Sequence, residues 1–230
     1  QRVFDQVDQL GIDRFLFAST YSVYANDAEG HPVTETSPLE AHSLYSETKI
    51  SAETWLQQNA AQARPATLIF RQATSYGLSP RVRFDLLVNQ FALEAFVHRE
   101  LVIYQRSFAR SFVHVQDVAN GYLLALTAPD EKVRNQVYNL GSERGNYTKD
   151  EIVTLVLQQF PEVMVRYKDL SFGGDLRDLT VSFDKVHREL GFEAQKTAKD
   201  GVEELALALR SGIFRNPYDR RFRNAEILVH

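Results

Sequence analysis

Arg14-Phe-Leu-Phe-Ala-Ser-Thr-Tyr-Ser-Val-Tyr24 is the stretch on which the reading of this chain turns. Arg14 to Ser19 is a short apolar run that follows Gly11 and opens into the hydroxyl-rich turn Thr20-Tyr21-Ser22. Such a run, bounded by turn residues, reads as a buried strand. Residues 26–42 then carry Gly30, Pro32 and Pro38 among polar residues and read as a loop. From Ser43 to Ala63 there is neither Gly nor Pro, and Ala, Glu and Gln recur, so a helix is expected. Ala66-Thr-Leu-Ile-Phe70, after Pro65, reads as a second buried strand leading into a loop from Gln72 to Arg83.

Further along, Phe84, Leu87, Phe91 and Ala95 mark one face of a helix from Phe84 to His98. Residues 101–104 and 112–115 read as short strands, 117–127 as a helix, and 136–140 as a strand closed by Gly141. Ile152, Leu155, Val156 and Phe160 mark an amphipathic helix, and 162–167 a strand. A flexible stretch around Gly173-Gly174 follows, then a helix marked by Val202, Leu205, Ala206 and Leu209. The tail from Asn216 is expected to pack as an extended arm. Strands alternating with helices imply an α/β fold with a largely parallel sheet. A first portion over 1–145 and a smaller α+β region over 146–230 are expected.

The composition narrows the function. Of 230 residues, 44% are hydrophobic and 24% charged, which provides for a sizeable core and argues against wholesale disorder. Lys plus Arg is 26 against 30 for Asp plus Glu, and a net charge of −4 disfavours general nucleic-acid binding. With no cysteine there is no disulfide, thiolate nucleophile or iron–sulfur site. The six histidines lack metal-site spacing, so no metal is expected. No apolar run has the length of a membrane span, and no signal segment opens the chain, so a cytoplasmic location without membrane contact is expected. The chain starts at Gln1 and its one methionine is Met164, so it is expected to be part of a longer protein.

The chemistry-bearing residues are Thr20, Tyr45 and Lys49. Tyr45-Ser-Glu-Thr-Lys49 places a phenol and an ammonium four residues apart, on one helix face. A lysine ammonium beside a phenol favours the phenolate, which suits a tyrosine to proton transfer. Alone, the pentapeptide describes an exposed tyrosine and a solvated lysine equally well. Thr20 changes the reading, because a hydroxyl at a strand's C-terminal end faces the usual ligand crevice of an open α/β sheet.

Four motifs in order resemble the extended short-chain dehydrogenase/reductase family, in particular its nucleotide-sugar epimerases and dehydratases. They are Phe17-Ala-Ser-Thr-Tyr-Ser-Val-Tyr24, Tyr45-x-x-x-Lys49, Arg71-Gln-Ala-Thr-Ser-Tyr-Gly77 and Arg110-Ser-Phe-Val-His-Val115. The resemblance runs from Arg14 to about Leu209. It implies that this chain is the C-terminal portion of a Rossmann-type, mostly parallel sheet with a smaller α+β substrate-binding region. It implies that Thr20 hydrogen-bonds the reacting oxygen, that Tyr45 is the acid/base, and that Lys49 bonds the nicotinamide ribose. Ala18, Ser19 and Gln72, with Tyr45 and Lys49, are implied to line the cofactor, NAD or NADP with NAD favoured. Thr20, Thr74, Asn89, Arg110 and Arg177 are implied to hold a nucleotide-diphosphate sugar. For Arg110 a guanidinium fork matches diphosphate oxygens.

The chain departs from that family in several places. No Gly-rich turn leads into a cofactor-binding helix, so a nucleotide-binding half of about 100 residues is expected to precede Arg14. The chain alone is then expected to bind NAD weakly or not at all. Tyr21 and Ser22 stand where dehydratases tend to carry an acidic pair, which disfavours 4,6-dehydration. Gln72 and Thr74 replace the Pro and Asn often found there, Ala25 a common Gly, and Ser111 a common Asp. The implied function is an NAD(P)-dependent nucleotide-sugar epimerase that is a homodimer when full length. The alternatives are a nucleotide 4-keto-sugar reductase on the same scaffold and a non-catalytic dinucleotide-sensing or scaffold member.

Overall fold

The computed structural model describes residues 1–27, 29–168 and 178–224. In chain order the elements are α1 (Arg2–Gln9), β1 (Arg14–Thr20), α2 (Leu44–Asn59), β2 (Ala66–Gln72), β3 (Thr74–Tyr76), α3 (Leu87–His98), β4 (Glu100–Tyr104) and β5 (Ala109–His114). They continue with α4 (Val115–Thr127), β6 (Gln136–Leu140), β7 (Asn146–Thr148), α5 (Lys149–Gln159), β8 (Met164–Lys168) and α6 (Ala198–Arg210). Two compact units share them. The first comprises Gln1–Ala73, Val118–Glu143 and Leu179–Glu193; the second comprises Thr74–Asp117, Arg144–Asp178 and Ala194–His230.

The first unit is built on a parallel sheet in the order β1-β2-β6. The central strand β2 is buried from Ala66 to Arg71, as expected of a parallel strand covered on both faces. Successive side chains leave it in opposite directions. Ile69 joins Phe4 of α1 and Leu56 and Ala60 at the end of α2, with Phe15, Trp55 and Val137 packed around them. Phe4 meets the rings of Phe15 and Trp55 edge-on at 5.3 and 5.5 Å. On the opposite face of β2, Phe70 meets Tyr122 of α4 at 5.0 Å. Burial of each of these large side chains contributes roughly 1.5–3 kcal/mol.

Helix α2 starts where its sequence tells it to. Ser43 is extended and its Oγ accepts a hydrogen bond from the Ser46 N–H, while the Ser46 Oγ accepts one from the Ser43 N–H, closing a capping box. Glu47 adds a negative charge in the first turn, where the helix dipole favours it. A short 3-10 turn over Ala60–Gln62 ends the helix before Pro65.

In the second unit β5 lies between β3, parallel, and β7, antiparallel, while β4 pairs in parallel with β8. Helices α3, α5 and α6 close over a core that includes Phe91, Ile103, Phe112, Ile152, Val156 and Val202. Both α5 and α6 open with capping boxes, Thr148 with Glu151 and Thr197 with Asp200. Gly145 precedes β7 at a point where a Cβ would overlap the Phe112 carbonyl oxygen. Backbone cannot yield there as a side-chain tip can, so Gly145→Ala is expected to cost about 3 kcal/mol. Denaturant unfolding, compared with the parent, measures that cost.

Several boundaries differ from the sequence expectation. The helix expected from Phe84 begins at Leu87, with Leu86 extended as its cap. The three residues before it are engaged elsewhere: the Phe84 N–H donates to the Phe222 carbonyl, and Arg83 forks onto Asp85 at 2.7 and 2.7 Å. The strand expected at 112–115 begins at Ala109, and the strand at 162–167 occupies 164–168. The tail packs Phe222 against Phe84 and Phe214, with ring centroids at 6.1 and 5.3 Å. Among the described residues no helix is long and apolar enough to cross a membrane, and no group of three or more His, Asp or Glu side chains is gathered as a metal would require.

Candidate active site

The C-terminal ends of β1 and β2 meet in register, so that Ala18 lies beside Phe70, Ser19 beside Arg71 and Thr20 beside Gln72. Thr20 is buried, and its Oγ1 accepts a 3.2 Å hydrogen bond from the Ser22 N–H, capping the turn Tyr21–Val23. A hydroxyl that accepts from the backbone keeps its own hydrogen for another acceptor. Gln72 donates from Nε2 to the Tyr122 hydroxyl at 3.2 Å.

The first two turns of α2 bring the other two residues to this edge. Tyr45 is 55% exposed, with its hydroxyl unbonded among the described residues. One turn on, the Lys49 ammonium reaches back to donate to the Ala18 carbonyl at 2.6 Å. It lies 4.9 Å from the centroid of Phe17 and 5.7 Å from that of Tyr45. Burial pulls the Lys49 pKa below the usual lysine value, and the Glu53 charge opposes that pull. The spacing Tyr45-x-x-x-Lys49 thus becomes a phenol and an ammonium side by side, tied to the strand that ends in Thr20.

Beneath them lies a network that the sequence reading did not anticipate. Glu53, fully buried one turn after Lys49, accepts from the Ser19 hydroxyl through Oε1. Its Oε2 accepts from Arg71 Nε and Nη2 at 2.9 and 2.7 Å. Arg71 Nη1 donates to the Tyr24 hydroxyl at 3.1 Å and to the Glu35 carbonyl at 3.0 Å. Tyr24 donates to Asn139 Oδ1 at 2.5 Å, and the Asn139 N–H and Nδ2 donate to Glu35 Oε1 and the Ser182 carbonyl. Burial pushes the Tyr24 pKa up to about 12 against the pull of Arg71, so Tyr24 is a phenol at neutral pH. Two signals for this network were present in the sequence. Glu53 extends the Tyr45, Lys49 face by one more turn, and Arg71 is a charge closing an otherwise apolar strand, where it demands a partner.

Thr74, Asn89 and Arg110 lie in the second unit. Thr74 opens β3, in register with Phe112 of β5. Arg110, buried on β5, donates from Nη1 to the Ala109 carbonyl at 2.8 Å. Asn89 is 2% exposed, and its amide is committed to the backbone: Oδ1 accepts from the Gly77 N–H at 2.9 Å and Nδ2 donates to the Arg83 carbonyl at 3.0 Å. Arg177 lies outside the described residues.

Comparison with known proteins identifies the family and the fold. Residues 1–141 match the model of the NAD dependent epimerase/dehydratase family. The chain is 27% identical to UDP-glucose 4-epimerase 2 of Arabidopsis thaliana over 233 residues, covering 91% of this chain and 63% of that protein. It therefore spans less than two thirds of the length of that relative. Two solved structures share the fold. One is a UDP-glucose 4-epimerase with UDP-glucose from Thermotoga maritima, with TM-score 0.80, 23% identity, and 92% of this chain and 68% of that one covered. The other is the Thermus thermophilus UDP-glucose 4-epimerase in complex with NAD, with TM-score 0.76, 22% identity and coverage of 92% and 68%. With more than half of its length matched by the family model, and with a tyrosine–lysine pair set at the end of a parallel sheet, the chain belongs to the NAD-dependent epimerase/dehydratase family.

Proposed function

We propose that the protein is an NAD-dependent nucleotide-sugar epimerase in which Tyr45 moves the proton. The observation that carries this reading is the Lys49 ammonium, held on the Ala18 carbonyl beside the Tyr45 ring. The exposed Tyr45 phenol and the Lys49 ammonium of α2, with the Gln72 amide at the end of β2, suit the nicotinamide end of a dinucleotide. NAD, bound beside Tyr45 and Lys49, would supply a reversible hydride acceptor for the sugar carbon. Tyr45, as phenolate, takes the proton of the sugar hydroxyl as the carbon is oxidised, and gives it back when the carbonyl is reduced on its other face. No net proton or electron is consumed, so the inverted alcohol leaves with the enzyme restored. Lys49 stabilises the phenolate charge by proximity. Thr20, whose oxygen already accepts from Ser22, donates its hydrogen to the reacting oxygen.

In the second unit the Arg110 guanidinium is assigned to the nucleotide diphosphate and Thr74 to the sugar nucleotide. Asn89, with its amide spent on Gly77 and Arg83, enters this reading as support for their loop. The relatives' names motivate UDP-glucose as the probe.

The test is to incubate the full-length protein with NAD and UDP-glucose and to resolve the C4 epimers by NMR. A mixed pool of epimers with no net loss of NAD supports the proposal. Stoichiometric consumption of reduced cofactor by a keto-sugar points instead to the reductase. A protein that binds NAD and turns over neither substrate is non-catalytic. Removing the Thr20 hydroxyl in Thr20→Val is expected to lower kcat about a hundredfold, as loss of one donor to a developing charge does.

A further inference from the structure

Glu53 takes no part in the proton transfer just described, yet its carboxylate is fully buried beneath it. Burying a charge costs several kcal/mol even when it is paired, and well-packed apolar residues of similar size commonly serve stability as well or better. A buried Glu–Arg pair at this place therefore calls for a role beyond holding the core together.

The geometry supplies one. Three donors converge on the single carboxylate: the Ser19 hydroxyl from β1, and Arg71 Nε and Nη2 from β2. One turn earlier on the same helix, Lys49 is fixed to Ala18, the residue before Ser19. Helix α2 is thus stitched to the end of β1 at two successive turns and to the end of β2 at the second. The stitches sit directly before Thr20 and Gln72, which are partners in register. Around Lys49 stand Phe17 and the Ala18 carbonyl from β1, and Tyr45 and Glu53 from its own helix. Arg71 of β2 is bonded to Glu53 and to Tyr24 rather than to Lys49.

We propose that Glu53 is a positioning residue for the Tyr45–Lys49 pair, fastening the ends of β1 and β2 to the helix that carries the pair and supplying the negative charge that supports the Lys49 ammonium. The proposal rests on the reading of Tyr45 and Lys49 given above, but its test requires no substrate. The Lys49 titration is followed in the full-length protein by competitive amine labelling across pH, in the parent and in Glu53→Gln. Folding of each variant is checked by its near-UV circular dichroism and cooperative melting. Glu53→Gln is expected to move the Lys49 midpoint to lower pH, because the pull of burial is then unopposed by the Glu53 charge. Should the lone Arg71 charge prevent folding, Glu53→Gln/Arg71→Gln leaves no single buried charge and is expected to show a smaller fall in the same direction, because a positive charge leaves with the negative one. Ser19→Ala keeps the carboxylate and removes only one stitch, so its midpoint is expected to stay with the parent. An unchanged Lys49 midpoint in either folded Glu53 variant overturns the proposal. Failure of Tyr45→Phe to reduce turnover would instead overturn the functional reading and leave this titration standing.

Discussion

Tyr45→Phe in the full-length protein is expected to lower kcat about a thousandfold, within the range lost when a general acid/base is removed. The variant is expected to fold normally. The Tyr45 side chain is half-exposed, and its hydroxyl is unbonded among the described residues, so deleting one oxygen opens no cavity and orphans no partner. Surface substitutions of that kind change stability by no more than about 0.5 kcal/mol. Substrate KM is expected to change little, because the oxygen acts on the proton in flight and not on the bound ground state. Steady-state kinetics beside a thermal melt separate the two effects. A variant that retains parental kcat removes Tyr45 from the chemistry.

The second large effect is on stability. Arg71→Met is expected to cost about 3–5 kcal/mol, because it leaves the Glu53 carboxylate buried without its cation. Arg71 is itself almost wholly buried, so water does not replace the lost hydrogen bonds. The loss also reaches Tyr24, whose hydroxyl accepts from Arg71, and the Glu35 carbonyl beyond it. By contrast Glu53→Met/Arg71→Met, which removes both charges, is expected to recover most of the stability. Denaturant unfolding of the parent, the single and the double variant forms the comparison. Equal stability of Arg71→Met and the parent would mean that the pair is solvated in solution.

Much of this could be read from the residues. The strands within Arg14–Thr20 and Ala66–Gln72 and the helix after Ser43 declare themselves through apolar runs, a preceding proline and a stretch free of Gly and Pro, which are local signals. Tyr45 and Lys49 were legible as a pair because helical spacing is fixed, whatever surrounds it. What escaped was long-range. The start of α3 moved because Phe84 is held by Phe222, a residue of the distant tail. The short strands β3 and β7 exist through pairing with β5, and three residues carry too little periodicity to announce it. Glu53 and Arg71 each left a signal in the sequence, but which partner each takes is set by a pairing that only the packing of α2 on the sheet creates. Asn89, assigned from resemblance to the substrate, has its amide taken up by backbone groups at Gly77 and Arg83, a commitment no spacing reveals.

The measurement closest to the centre is isotopic. The full-length protein, with NAD, is given the UDP-sugar probe deuterated at the carbon to be inverted, and the product is read by NMR. Oxidation and return of the same hydride at the Tyr45 site predict an epimer that keeps its deuterium at that carbon, formed at a rate that collapses in Tyr45→Phe. Replacement of the deuterium by solvent hydrogen would contradict hydride transfer, and with it the role assigned to Tyr45, Lys49 and Thr20.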